Sequence, residues 1–134
     1  MRSENTIVHK FQEMADSHNL GKEGEELARD HLLKKGYKIL HRNWKSGKRE
    51  IDIVAENRDF IVFVEVKTRS DDYHMHPRHA VTSEKQKSII YAAEYYLQRY
   101  NINKESRFDI VSIISDGKSV QVEHIEDAFY PTLR

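Results

Sequence analysis

Cysteine is absent from the 134 residues, which excludes a disulfide framework and any thiolate metal site. No apolar run approaches the roughly 20 residues of a membrane-spanning helix, and the N-terminus lacks the apolar core of a signal peptide. A cytoplasmic protein without membrane contact is therefore expected. Nor does charge of one sign prevail, since 22 Lys and Arg balance 22 Asp and Glu. No global basic field draws in nucleic acid, so affinity for a polyanion must come from a local patch. Charge itself is abundant, at 33% of residues, and the length suits one domain with a single modest core.

The stretch from Arg49 to Arg69 organises the rest. Two apolar, β-branched runs, Ile51 to Ala55 and Phe60 to Val66, flank the turn-forming Asn57-Arg58-Asp59. That pattern predicts a β-hairpin. Strand alternation puts Glu50 and Asp52 on one face, with Ile51 and Ile53 on the other. On the second strand Glu65 and Lys67 share a face with Ile61 and Phe63, opposite Val62, Val64 and Val66. A strand apolar on both faces is covered on both sides, so Glu65 and Lys67 are expected at the shielded end of a central strand. Like charges on neighbouring strands cost about 0.2–1 kcal/mol, and an unpaired buried ion costs several. A divalent cation would relieve both costs, and a hard cation such as Mg²⁺ takes one or two carboxylates plus waters and phosphate oxygens. Lys67 could then hold an attacking water or steady the charge that grows in the transition state. The set reads as metal-assisted hydrolysis of a phosphodiester. Glu65 or Asp52 paired with Lys67 makes equally good sense as an ordinary cross-strand ion pair.

Asp52 followed by Glu65-Val66-Lys67 resembles the D…(D/E)xK signature of the PD-(D/E)xK nucleases, the restriction-endonuclease-like superfamily. The ordered set Leu20-Gly21-Lys22-Glu23-Gly24-Glu25, Gly36-Tyr37, Asn43, Glu50-Ile51-Asp52, Val62 to Arg69, Lys85, Arg107-Phe108-Asp109 and Ala128-Phe129 resembles the YraN-like (UPF0102) family. That family is itself similar to the archaeal Holliday junction resolvases. The likeness runs from about Asn19 to Phe129. It implies that Asp52 and Glu65 bind metal, that Lys67 is catalytic, and that Glu25 is an accessory acid near the metal. Arg49 departs from the glycine usual before Glu-Ile-Asp in the family and leaves the acids intact.

In chain order, residues 1–18 carry Ile7, Phe11, Met14 and Ala15 at helical spacing and are expected to be a short helix or a mobile extension of the domain at 19–134. From Leu20 a helix is predicted, with Leu27, Ala28, His31 and Leu32 on one face and Gly36 past its end. Glu25 lies off that stripe, where a first-turn acid also suits the helix dipole without any further role. Gly21 and Gly24 hint at close backbone approach. Tyr37 to Asn43 reads as a strand. Trp44 to Arg49 then sets an aromatic among Lys45, Lys48 and Arg49, a combination suited to phosphate contact and base stacking, or equally a solvated loop with Trp44 in the core. Ser70 to Thr82 reads as an irregular loop whose His74, His76 and His79 lack partners at zinc spacing. Ser83 and Gln86 predict the start of a second helix running to Tyr100. Its Lys85 and Lys87 are placed for phosphates or merely for solvent. Tyr91, Tyr95, Tyr96 and Tyr100 read as packing and surface residues rather than a stacking platform. Strands at Arg107–Ile114 and Ser119–Ile125 follow, joined by Asp116-Gly117. Asp109 is expected to pair with Arg107 or lie near the sheet edge, and takes no catalytic role. Ala128 and Phe129 dock the tail.

The expected fold is a restriction-endonuclease-like α/β domain, a central mixed β-sheet flanked by helices. The expected function is a Mg²⁺- or Mn²⁺-dependent DNA endonuclease, with branched or Holliday-junction DNA as a candidate substrate. Asp52 and Glu65 hold the metal, Glu50 joins them as an outer acid, Lys67 positions water and Glu25 assists. Lys45, Lys48, Arg49, Arg69 and Lys85 hold phosphates. Two symmetric cuts would call for a homodimer. The alternative is a catalytically inactive nucleic-acid-binding module with a nuclease-like fold.

Overall fold

A computed structural model describes residues 20–70, 81–115 and 117–132. The N-terminal stripe, the three-histidine loop segment and Asp116 lie outside the described residues. Helix α1 (Leu20–Lys34) leads into β1 (Lys38–Ser46), β2 (Arg49–Glu56) and β3 (Phe60–Ser70). Helix α2 (Ser83–Arg99) then precedes β4 (Glu105–Ser115) and β5 (Val120–Phe129).

The β-branched runs pair as expected into one five-stranded sheet whose spatial order, β1-β2-β3-β4-β5, is the order of the chain. Neighbours are antiparallel at β1–β2, β2–β3 and β4–β5. Of these described pairs β3–β4 alone is parallel, because the crossover through α2 carries the chain back to the end of the sheet where β3 begins. The result is a mixed sheet in a single α/β domain, consistent with a restriction-endonuclease-like fold.

Each face of the sheet has its own apolar layer. Leu27, Ala28 and Leu32 of α1 pack on Ile53, Val62, Val64, Val111 and Ile113. Ile89, Ala92, Ala93 and Tyr96 of α2 pack on Val54, Ile61, Phe63, Phe108 and Ile110. The alternation read from β3 holds: Ile61 and Phe63 face α2 while Val62 and Val64 face α1. Burying a side chain such as Phe63, which is fully enclosed, contributes about 1.5–3 kcal/mol.

Four local expectations need correction. Ile51 and Ile53 do not share a face: Ile51 joins the α2 layer and Ile53 the α1 layer. The alternation slips at Asp52, where β2 parts from β3. Strand β1 runs on to Ser46, so Trp44 and Lys45 are strand residues and the turn is only Gly47-Lys48. Trp44 packs against the α2 layer, so the core reading of that residue holds. Thr82 rather than Ser83 caps α2, its hydroxyl accepting from the Lys85 N–H at 3.2 Å. Finally, β5 extends through Ala128 and Phe129, which are buried within the strand rather than docked beyond it.

Helix α1 ends at Gly36, whose φ of 93° permits the turn that delivers the Tyr37 N–H to the Leu32 carbonyl at 3.0 Å. Tyr37 thereby reaches a second polar centre under the C-terminal end of α1. There Asp109, wholly buried, accepts two bonds from the Arg107 guanidinium at 2.9 and 2.8 Å. His124 Nε2 sits at 2.7 Å from the same carboxylate and the Asp127 N–H at 3.0 Å. Arg107 also donates to the Tyr37 hydroxyl. Since the Lys35 ammonium can only donate, its 3.0 Å contact assigns His124 Nδ1 as acceptor and Nε2–H as the donor to Asp109. The expected Arg107–Asp109 pair is present, and it lies in the interior rather than at an edge.

Candidate active site

The acids converge where β2 and β3 separate. Their ladder runs from Glu56↔Ile61 to Ile53↔Val64. Just beyond it, the Val66 N–H donates to Asp52 Oδ2, at 2.8 Å. Glu65, 7% exposed, stands on the adjacent strand and shares a side-chain hydrogen bond with Asp52. Two carboxyl groups bonded to each other cannot both be ionised without a compensating charge.

The electrostatics record that conflict. Burial, then the neighbouring Asp52 charge, pushes Glu65 up from an ordinary 4.5 to about 8, against the pull of Lys85 and Lys67. Asp52 is also raised, chiefly by burial and further by Glu50, although the Val66 N–H and Lys85 oppose the rise. Both acids are raised, so the pair as a whole holds a proton more readily than an exposed carboxyl does.

Glu25 reaches the same place from α1, and Gly24 explains how. A Cβ at Gly24 would lie 2.5 Å from Thr68 Oγ1, so only glycine lets the first turns of α1 lie this close to β3. The expectation of close approach holds for Gly24, whereas Gly21 has open space around it. Burial, followed by the Asp52 charge, raises Glu25 above its ordinary value, and a bond from Asn43 opposes the shift. Asn43 was assigned no role from sequence. Its amide, turned so that nitrogen faces the acids, donates to Glu25 Oε1 at 3.1 Å and Glu50 Oε2 at 3.3 Å. It does so from a backbone φ of 52° inside β1, a conformation that asparagine tolerates better than most residues. An asparagine in a run that otherwise reads as strand was the available signal.

The predicted residues therefore divide. Asp52, Glu65, Glu25 and Glu50 gather at one centre, and Lys67 and Lys85 act on it electrostatically. Lys85, expected to meet phosphates, thus lies within electrostatic reach of both paired acids. Among the basic residues, Lys45 and Lys48 are exposed on the β1–β2 hairpin. The Arg49 guanidinium lies 4.8 Å over the Tyr91 ring, and Arg69 is half-buried toward the end of β3. Among the described residues no three acids or histidines surround a single point closely enough to enclose a metal on their own. No described helix is long and apolar enough to cross a membrane.

Chemically, the centre offers hard oxygen donors, a shareable proton and two ammonium groups. The model of the uncharacterised protein family UPF0102 matches residues 24–113, which include every member of the centre. A UPF0102 protein of Phocaeicola vulgatus is 44% identical over 120 residues, covering 90% of this chain and 99% of that protein. One from Parabacteroides distasonis is 44% identical over 121 residues, 90% and 100% of the two chains. Another, from Porphyromonas gingivalis, is 42% identical over 118 residues, 87% of each. With a family match over residues 24–113 and relatives 42–44% identical over 87–90% of its length, the chain belongs to the uncharacterised protein family UPF0102.

Proposed function

We propose that this protein is a divalent-metal-dependent endonuclease that hydrolyses phosphodiester bonds in DNA, with branched or junction DNA as its substrate class, acting in the cytoplasm. The observation that carries the proposal is the buried Asp52–Glu65 contact, in which Glu65 is pushed up to about 8. A fold gains nothing from two half-satisfied carboxyls at the fork of two strands, whereas a cation between them turns the repulsion into binding energy.

The donor chemistry fits such an ion. Asp52 and Glu65 would hold Mg²⁺ or Mn²⁺, a cation of the kind that takes one or two carboxylates and leaves its other positions to water and phosphate oxygen. When bound, the metal supplies Lewis-acid polarisation of a phosphoryl oxygen and lowers the pKa of a coordinated water. Lys67, exposed on the same face as Glu65, orients the attacking water and meets the charge that develops on phosphate. Lys85 steadies the ionised state of the two acids. Glu25 and Glu50, joined through Asn43, form the outer acidic wall. Lys45 and Lys48 hold phosphates on either side of the cut. Paired incisions in a junction require two copies of the chain related by a two-fold axis.

The test is cleavage of duplex, single-stranded, flap and four-way-junction DNA in Mg²⁺, in Mn²⁺ and in chelator. Lys67→Ala should lower the rate at least about 100-fold while binding is retained. Independently of turnover, Mg²⁺ should raise the melting temperature of the parent and not that of Glu65→Gln. A Lys67→Ala variant that cuts like the parent would refute the assigned chemistry. Salt-dependent binding with no turnover on any of the four substrates would instead identify a nucleic-acid-binding module.

A further inference from the structure

Helix α2 buries Ile89, Ala92, Ala93 and Tyr96 and turns Tyr91 and Tyr95 outward, where they are 64% and 52% exposed. Of its clustered tyrosines only Tyr96 belongs to the core. Four residues apart, Tyr91 and Tyr95 are neighbours on one helix face. The row continues onto β1, where the Trp44 ring lies 6.2 Å from Tyr95 and its indole N–H donates to the Tyr100 hydroxyl at 3.3 Å. At the other end Tyr91 borders a groove of about 400 Å³ whose far wall includes Tyr130, itself 64% exposed.

Cations punctuate the row. Arg49 lies 4.8 Å over Tyr91, Arg99 lies 5.5 Å over Tyr100, and Lys87 lines the groove beside Tyr91. Glu94 is the exposed acid on α2 between Tyr91 and Tyr95. In a chain of zero net charge, guanidinium groups held against exposed rings are a local departure. They set a positive charge against two of the rings, Tyr91 and Tyr100, an apposition of cation and flat apolar surface that suits the phosphates and bases of an unpaired strand. A duplex keeps its base faces stacked and cannot use such rings. The row also leads toward the acids, since Arg49 immediately precedes Glu50 on β2 and Lys85 stands in the first turn of α2.

We propose that the exposed Tyr91 and Tyr95, with Arg49 and Lys87 and beside the core-packed Trp44, form a stacking platform for an unpaired polynucleotide segment that leads into the Asp52–Glu65 centre. This deepens the nuclease reading and rests on it, giving the substrate a single-stranded arm next to the bond that is cut. The probe is built in, because Trp44 is the sole tryptophan. Its fluorescence is followed during titration with oligo(dT) and with a blunt duplex of equal length, in chelator so that nothing is cleaved. Oligo(dT) should quench the indole, and Tyr91→Ala and Tyr95→Ala should each lower the ratio of oligo(dT) to duplex affinity about tenfold. Tyr91→Phe should preserve that ratio, and all three variants should melt like the parent. An unchanged ratio in both alanine variants, or an oligo(dT) titration that leaves the indole untouched, overturns the platform. Because the titration needs neither metal nor turnover, its failure leaves the cleavage reading standing, and failed cleavage leaves the titration interpretable.

Discussion

Two carboxylates in this molecule are buried to nearly the same degree and behave in opposite ways. Asp109, fully buried, receives Arg107, His124 and a backbone N–H. Burial alone would raise it, yet the bonds from His124, Arg107 and Asp127 outweigh burial and hold it below its ordinary value. Glu65, 7% exposed, faces another acid and is driven up to about 8. Burial is thus common to both, and the partners decide the sign. A carboxylate whose acceptor capacity is filled by donors stays ionised and locks a fold, while one set against its own kind is pushed toward its protonated form.

The sharpest way to break this comparison is to remove each acid in turn. Asp109→Ala leaves the Arg107 guanidinium buried without its counter-charge, and should cost about 3–5 kcal/mol. Thermal unfolding should show a fall on the order of 10 °C or more. Glu65→Gln should leave the melting temperature at or above that of the parent near pH 8. If the two losses proved equal, the distinction between an acid satisfied by donors and one opposed by another acid would collapse.

Acidity sharpens the contrast next. Glu65 binds its proton more tightly folded than unfolded, so its contribution to stability is fully present below its ordinary 4.5 and is lost as pH rises through about 8. Asp109 is depressed, so its contribution is present above its ordinary 3.8 and disappears as pH falls through its folded value. Denaturant unfolding in chelator, repeated from pH 4.5 to 8, should therefore show a downward trend in the parent, to which the raised Asp52 and Glu25 also contribute and which Glu65→Gln makes shallower. Asp109→Asn should leave that trend alone.

The smallest expected effect concerns the approach of α1 to the acids. Gly24→Ala places a methyl against Thr68 Oγ1, at about 1–3 kcal/mol of strain, offset by about 1 kcal/mol of helix propensity. A net loss of about 1 kcal/mol, recovered in Gly24→Ala/Thr68→Ala, is the expected outcome of chemical denaturation. A Gly24→Ala variant as stable as the parent would mean that α1 has room to spare.

The acid centre was legible in one dimension because its defining residues follow a local rule. Ile61, Phe63, Glu65 and Lys67 alternate along β3, and polar residues interrupting an apolar face announce themselves. The slip at Asp52 was not legible, since alternation assumes a strand that stays paired and β2 leaves its partner at that residue. Trp44 was drawn into a loop by the turn-forming residues after it, whose actual turn occupies only Gly47-Lys48. Thr82 and Ser83 are both good caps, and composition cannot choose between neighbours. The Arg107–Asp109 pair was visible at its two-residue spacing, but His124 and Tyr37 come from 15 and 70 residues away in the chain. No period links residues so far apart; their meeting is a property of the sheet and of the turn after α1.

Because the order of strands across the sheet repeats their order along the chain, no strand has to be threaded between two already joined. The meander from β1 to β3 can zip from its tight turns, and β5 can fold back on β4 in the same way. The entropic cost of bringing distant segments together is therefore concentrated in one event, the parallel closure of β4 on β3 through α2. Asp52, Glu65 and Lys67 belong to the piece built from neighbouring strands, whereas Lys85 is joined to it only through the α2 crossover.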